Sequence, residues 1–258
     1  MLLKKDLYKL QNWTKYSIEK SKKLIAVSKT TKKDIMKFYH TPEDKIEVIY
    51  NGFEKHITSN TDKTWTDLVS KFEIRNSKFI LYVSTLQPRK NVQTLIKAFN
   101  EFKKEHSEYK LVLVGKKGWM VEKIMNEINV ETGRDLSVQQ DVIFTGFLSD
   151  EEVVALYKHA FCYVLPSLYE GFGITILEAM SHGAPVITSY ASSLPEVGGE
   201  ACLYFEPTNS EDLVFNLNLL LNDKDLRKDL IEKGQERIKN FSWSKCAAET
   251  LKVIKSVV

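Results

Sequence analysis

Pro166-Ser167-Leu168-Tyr169-Glu170-Gly171-Phe172-Gly173-Ile174-Thr175-Ile176-Leu177-Glu178-Ala179-Met180 sets two carboxylates around a glycine loop and the start of an apolar helix. A helix start leaves amide N–H groups without intrahelical partners and carries the positive end of the helix dipole, so it suits an anion such as phosphate. Gly171 and Gly173 let the backbone come close to a ligand and adopt positive φ. Glu178 falls one turn into the helix, where a carboxylate can accept two hydrogen bonds from a diol. Glu170 stands before the glycines. Alone, each glutamate would read as a solvated carboxylate near a positive helix end. Together with the glycine loop, the pair reads as a pocket for a nucleotide sugar.

Outward from this segment the pattern is regular. Apolar runs at 79–83, 111–114, 142–144, 161–165, 185–188 and 202–205 predict strands, and helical periodicity at 91–104, 119–130, 150–159 and 174–182 separates most of them. Alternating strands and helices imply an α/β fold with a parallel sheet, and strands that are apolar throughout imply cover on both faces. Helices are also expected over 210–222, 225–239 and 243–256, the last capped by Ser242. The first fifty residues read helix, strand (24–27), helix (28–38), strand (46–50), closed by Asn51-Gly52, and the polar segment 53–63 reads as a linker.

Ligands of open parallel sheets bind beyond the carboxyl ends of the strands. That rule selects the loops Ser84–Asn91, Gly115–Trp119, Thr145–Ser149, Pro166–Gly173 and Ser189–Glu196. In the first, Lys90 sits at a helix entrance, where an ammonium can neutralise charge developing on a diphosphate leaving group. The bland alternative is a solvated Arg89-Lys90 pair. Gly115-Lys116-Lys117-Gly118 resembles a phosphate nest but lacks the P-loop pattern, and a plain turn reads equally well. The backbone of Gly146, Phe147 and Leu148 could meet a base edge, or simply end a strand before the N-cap Ser149. Asp223-Lys224-Asp225 reads as helix capping rather than a metal site, and His182 as a helix-end residue.

Composition narrows the classes further. The 258 residues carry a net charge of +3, too little to indicate nucleic acid, and the lysines cluster: residues 1–40 hold eleven against Asp6, Glu19 and Asp34. Two readings stand for that segment, a solvated helix face or contact with anionic lipid headgroups through lysines interspersed with Tyr8, Trp13 and Tyr16. Cys162, Cys202 and Cys246 show no metal or redox spacing, which fits inert thiols in a reducing cytoplasm. No apolar run approaches the roughly 20 residues that span a bilayer, and the start of the chain shows no signal-peptide pattern.

At Tyr82-Val83-Ser84-Thr85-Leu86-Gln87-Pro88-Arg89-Lys90-Asn91, Val142-Ile143-Phe144-Thr145-Gly146-Phe147, the Glu170-x7-Glu178 pair, Gly183-Ala184-Pro185-Val186-Ile187 and Ser192-Ser193-Leu194-Pro195-Glu196-Val197, the chain resembles the retaining glycosyltransferases of family 4, which have the GT-B fold. In style it is similar to bacterial mannosyltransferases that build surface polysaccharide. The resemblance implies a nucleotide-sugar domain over 64–240, a crossover helix over 241–258 and, over 1–52, the last part of an acceptor domain. It implies that Lys90 neutralises the diphosphate, that Glu178 holds the ribose hydroxyls and that Glu170 lies by the donor sugar. The backbone of Phe172, Gly173 and Ile174 would lie near phosphate and sugar, and that of Gly146–Leu148 near the base. The donor would be a UDP- or GDP-sugar, with no cofactor and no metal, and the acceptor a glycan or a lipid-linked glycan. The setting would be the cytoplasm, with peripheral contact at the inner membrane face. Two departures stand out. Thr85 occupies a place where many relatives carry arginine, with Arg89 as the candidate second positive charge. The glycine-rich loop and histidine usual in the acceptor domain have no counterpart. The sequence therefore supports two readings, a hexosyltransferase or a nucleotide-sugar-binding subunit that works with a separate acceptor-domain chain.

Overall fold

A computed structural model describes residues 4–55, 61–74, 78–116, 118 and 141–258. Its centre is a six-stranded, wholly parallel sheet formed by β3 (Lys78–Val83), β4 (Tyr109–Val114), β5 (Val142–Gly146), β6 (Cys162–Leu165), β7 (Val186–Ser189) and β8 (Cys202–Phe205). The spatial order is β5-β4-β3-β6-β7-β8. The chain runs from the middle to one edge, then returns across β3 to build the other half. Strand β6 therefore lies beside β3, and the two halves diverge there.

Alternation along each strand builds two cores. Phe79, Leu81, Tyr163 and Leu165 enter one layer, while Ile80, Tyr82, Cys162 and Val164 enter the other. Helix α4 (Val92–Phe102) presents Leu95, Ile96 and Phe99 to the second layer, joined by Leu213 and Leu217 of α8 (Ser210–Asn222). Helices α5 (Asp150–His159) and α6 (Ile174–Ser181) fill the first layer with Leu156, Tyr157, Ile176 and Leu177. Burying a side chain of this size contributes about 1.5–3 kcal/mol, so strand positions on both faces are committed to packing. The helix starts are capped as their sequences suggest. Ser149 and Glu152 form a reciprocal capping box on α5, and Ser242 accepts from the Lys245 amide at the start of α10 (Trp243–Lys255).

Ahead of the sheet lie α1 (Lys4–Lys20), β1 (Leu24–Ala26), α2 (Lys29–Tyr39) and β2 (Ile46–Val48), with β1 and β2 paired in parallel. Helix α3 (Thr61–Lys71) corrects the expected linker over 53–63, because it begins inside that segment. Its apolar content is small and concentrated. Leu68 is buried and Trp65 stacks on His159 at 4.0 Å, so a largely polar stretch still packs on the sheet domain. Short α7 (Leu194–Gly198) is too brief to show a helical period in sequence, and α9 (Lys224–Arg237) precedes α10. The helix expected over 119–130 lies outside the described residues.

The loops after β3 and β4 interlock through backbone. Gly115 has φ +146°, and a Cβ there would lie 2.0 Å from the Ser84 carbonyl oxygen; Gly146 has φ +74° with open space around it. Gly115→Ala is therefore expected to destabilise the fold by about 3 kcal/mol and Gly146→Ala by about 1 kcal/mol. Urea unfolding midpoints check the order; equal losses would contradict the close approach.

Candidate active site

The switch between β3 and β6 sets two loops side by side at the carboxyl ends of the strands. After β3, Pro88–Lys90 form one 3-10 turn and Asn91 takes a left-handed conformation at φ 54°. The Asn91 side chain donates to the carbonyls of Pro166 (2.9 Å) and Pro207 (2.7 Å), and its own oxygen accepts from Thr94 (2.9 Å). The Leu168 amide donates to the Arg89 carbonyl at 2.9 Å. The lysine loop and the glutamate loop are thus joined as one unit.

Glu170 lies at their meeting point and is 7% exposed. Its Oε1 accepts from Lys90 Nζ at 2.6 Å and Ser167 Oγ at 2.7 Å, and its Oε2 accepts from Arg89 at 2.9 Å. Burial pushes the carboxyl pKa up. The Lys90 charge and the hydrogen bonds from Lys90, Ser167 and Arg89 outweigh that and hold it below the ordinary value, so the group is ionised near neutral pH. The backbone is fixed as well. The Glu170 amide donates to Ser192 Oγ at 2.7 Å, and its carbonyl accepts from Ser193 Oγ at 2.9 Å. Ser192 reaches this position with φ 49°, a costly conformation for serine.

The structure thus joins Lys90, Arg89 and Glu170 in one ion cluster. Arg89, expected as a second charge for the diphosphate, here donates to the Glu170 carboxylate and the Tyr169 carbonyl. It anchors the glutamate loop, because the tie between the loops brings its guanidinium against that carboxylate.

Beyond the glutamate, Gly173 stands at the start of α6 with φ 93°, and a Cβ there would come within 2.7 Å of Leu194. Gly171 opens toward Val27, and the Phe172 ring is buried against Tyr50 and Phe241. Glu178 is half-buried one turn into α6 and accepts from Tyr157 at 3.3 Å. Tyr163, also buried, donates to Thr175 Oγ1 at 2.8 Å. A floor of buried tyrosines therefore supports the first turn of α6 and its carboxylate.

The remaining candidates lie around this centre. The Thr85 carbonyl is 3.4 Å from the Tyr82 hydroxyl. The Leu86 amide donates to Lys116, and the Gly118 amide to Leu86, which ties the β3 and β4 loops together. The exposed Phe147 ring carries Lys116 Nζ 4.8 Å above it, whereas Leu148 is buried in the core. Asp223 caps α9 by accepting from the Leu226 amide, and Cys162 and Cys202 are buried thiols. Among the described residues no group of three or more His, Cys, Asp or Glu could hold a metal ion, and no helix is long and apolar enough to cross a membrane. Ser192 and Ser193 lie in a motif that the sequence marks, but their hold on Glu170 is not legible there, and neither are the contacts of Ser167 and Tyr157. Ser167 alone had a local signal, three residues before Glu170; the other contacts close over about twenty residues.

Comparison with known proteins bears on family and fold. Residues 65–237 match the model of glycosyl transferases group 1, and residues 2–56 match that of glycosyltransferase family 4. The chain is 29% identical over 240 residues to O-antigen chain mannosyltransferase B of Escherichia coli, covering 93% of this chain and 62% of that protein. It is 30% identical to the serotype-specific mannosyltransferase WbdA of Escherichia coli over 89% of this chain and 28% of that one. Among solved structures, Anabaena HepE in complex with UDP and glucose superposes with a TM-score of 0.79 at 22% identity, covering 93% of this chain and 64% of that one. The chain spans about three-fifths of the length of the first of these relatives. With a family model matched over residues 65–237 and the sheet shared with these solved structures, the chain belongs to the glycosyl transferases group 1, with the GT-B fold.

Proposed function

We propose that this chain binds a nucleotide diphosphate sugar between the β3 and β6 loops and supplies the donor side of hexosyl transfer. The observation that carries this reading is the Lys90–Glu170–Arg89 cluster at the switch point, beside the start of α6. Lys90 carries the charge that neutralises the diphosphate as it leaves. An ionised carboxylate has roughly four acceptor positions. Lys90, Ser167 and Arg89 use three of those on Glu170, leaving one for a hydroxyl of the donor sugar. Glu178, steadied by Tyr157, accepts from the ribose hydroxyls. The backbone of Phe172, Gly173 and Ile174 lies near phosphate and sugar, and that of Gly146–Leu148 near the base.

In the proposed step an acceptor hydroxyl attacks the anomeric carbon on the face from which the diphosphate departs. The bond from C1 to the phosphate oxygen breaks, the bond from C1 to the acceptor oxygen forms, and the acceptor proton passes to the leaving phosphate. Configuration is retained, and no cofactor or metal is required. Likeness to the Escherichia coli mannosyltransferases supports a mannose-like hexose and a polysaccharide or lipid-linked acceptor. The UDP held by HepE supports a uridine donor as the companion to a guanosine one. Exposed Tyr8, Trp13 and Tyr16 on lysine-rich α1 support peripheral contact with an anionic membrane, on the cytoplasmic side.

A panel of UDP- and GDP-sugars tests the reading by thermal shift and calorimetry; if none raises the melting temperature, the donor pocket is refuted. For the nucleotide sugar that binds, Glu178→Ala is expected to weaken affinity about tenfold or more. The loss should be much smaller for the 2′-deoxynucleotide, and an equal loss for both would remove Glu178 from the ribose.

The ionised state of Glu170 has its own signature. Its folded pKa lies below the ordinary 4.5, so its contribution to stability is full above that value and is lost as pH falls through the folded pKa. Glu170→Gln is expected to lack this component and to show a flatter fall in stability below about pH 4.5. Urea midpoints across pH 3 to 7 (roughly the range where carboxylates titrate) check it; a wild-type slope in the variant would contradict the ionised anchor.

A further inference from the structure

Ser192-Ser193-Leu194-Pro195-Glu196-Val197 has a second set of contacts that the donor chemistry does not use. Ser192 and Ser193 hold the backbone of Glu170, as described. One turn later, Glu196 reaches away from the sheet domain to the segment before it. Its Oε1 accepts from the Lys29 amide at 2.7 Å and the Tyr50 hydroxyl at 2.7 Å, and its Oε2 accepts from the Thr30 amide at 3.4 Å. Lys29 and Thr30 are the first two residues of α2, so the carboxylate meets orphan amides at the positive end of that helix. Burial and the hydrogen bond to Glu196 push the Tyr50 hydroxyl up to about 12.

Glu196 is itself held from behind. Arg237 donates to the Glu196 carbonyl at 2.6 Å and to the Val197 carbonyl at 2.9 Å, and its guanidinium lies 5.3 Å over Phe241. Phe241, Tyr50 and Phe172 form a closed aromatic group, with centroids 5.7 to 6.2 Å apart, between α10, β2 and the glycine loop. With its start fixed, α2 runs along the loop that carries Glu170. Thr31 Oγ1 meets the Gly171 carbonyl at 3.4 Å, and the Tyr169 hydroxyl donates to Asp34.

We propose that Glu196 is a positioning residue that latches α2 to the glutamate loop, so that one short turn fixes both the donor carboxylate and the wall of the cleft facing it. This deepens the donor-cleft reading. A transfer that takes place between two walls needs their separation held closely, and Glu196 supplies that hold through a carboxylate on one wall and helix amides on the other.

Spin labels at Lys37→Cys on α2 and Glu232→Cys on α9, in a Cys246→Ser background with Cys162 and Cys202 left buried, report the distance between the two walls by pulsed electron resonance. Wild type is expected to give one narrow distribution. Glu196→Ala is expected to broaden it about twofold or more, and Glu196→Gln, which keeps the Oε1 acceptor, to restore most of the wild-type width. Lys29→Pro provides a second route. Proline is tolerated at the first helical position, and Ser28 before it is already extended, so only the amide bond to Glu196 is lost. It is expected to broaden the distribution as well, with unchanged circular dichroism, and it decides the matter alone if Glu196→Ala does not fold. A wild-type width in either folded alanine or proline variant overturns the latch. The measurement needs no nucleotide, so failure of the latch and failure of the donor pocket are told apart.

Discussion

A carboxylate buried between two cations organises this protein's cleft. Removing an ion from water costs several kcal/mol, and the cost is met only where the partners are close and the remaining lone pairs are bonded. Glu170 meets that condition through Lys90, Arg89 and Ser167. Satisfying one side chain in this way joins the loop after β3 to the loop after β6, and those loops come from opposite halves of the sheet. Taking away either cation would leave Glu170 with a single charged partner and one acceptor position unmet, a loss expected to be larger at the mostly buried Lys90 than at the more exposed Arg89. The crevice is therefore shaped by its own ion cluster before any ligand arrives.

Charge balance in the cluster has a direction. Two cations face one carboxylate, so the group keeps a net positive charge. The first turn of α6 adds the positive end of a helix dipole nearby. Glu178 stands farther along the same helix and accepts from Tyr157. The two glutamates, eight positions apart, thus have different surroundings. Glu170 is bound to two cations and fixed through its backbone, and Glu178 is half-buried against Tyr157.

Much of the architecture was legible because the physics behind it is local. Runs such as Phe79-Ile80-Leu81-Tyr82 and Cys162-Tyr163-Val164-Leu165 are apolar on both faces, which only a sheet covered on both sides demands. Ser28, Ser149 and Ser242 marked helix starts through a bond that closes within three residues. Helix α3 was missed because three apolar residues, Trp65, Leu68 and Val69, carry its packing within an otherwise polar segment. The pairing of Arg89 with Glu170, the support from Ser192 and Ser193, and the reach of Glu196 to Lys29 span from about twenty to more than 160 residues of sequence. Such contacts follow from strand order, which periodicity alone does not reveal.

The interlocking of Gly115 with Ser84 and of Gly118 with Leu86 has a consequence for how such a protein can change over generations. Where backbone bonds to backbone, the shape of a loop is nearly independent of the side chains it displays. Thr85, Lys116 and Phe147 stand on frames of this kind, so exchanging them alters what the loops present without reshaping the frame. The central strands below allow no such freedom, since both of their faces are packed. Variation would accordingly collect at a few displayed positions above a scaffold that stays constant.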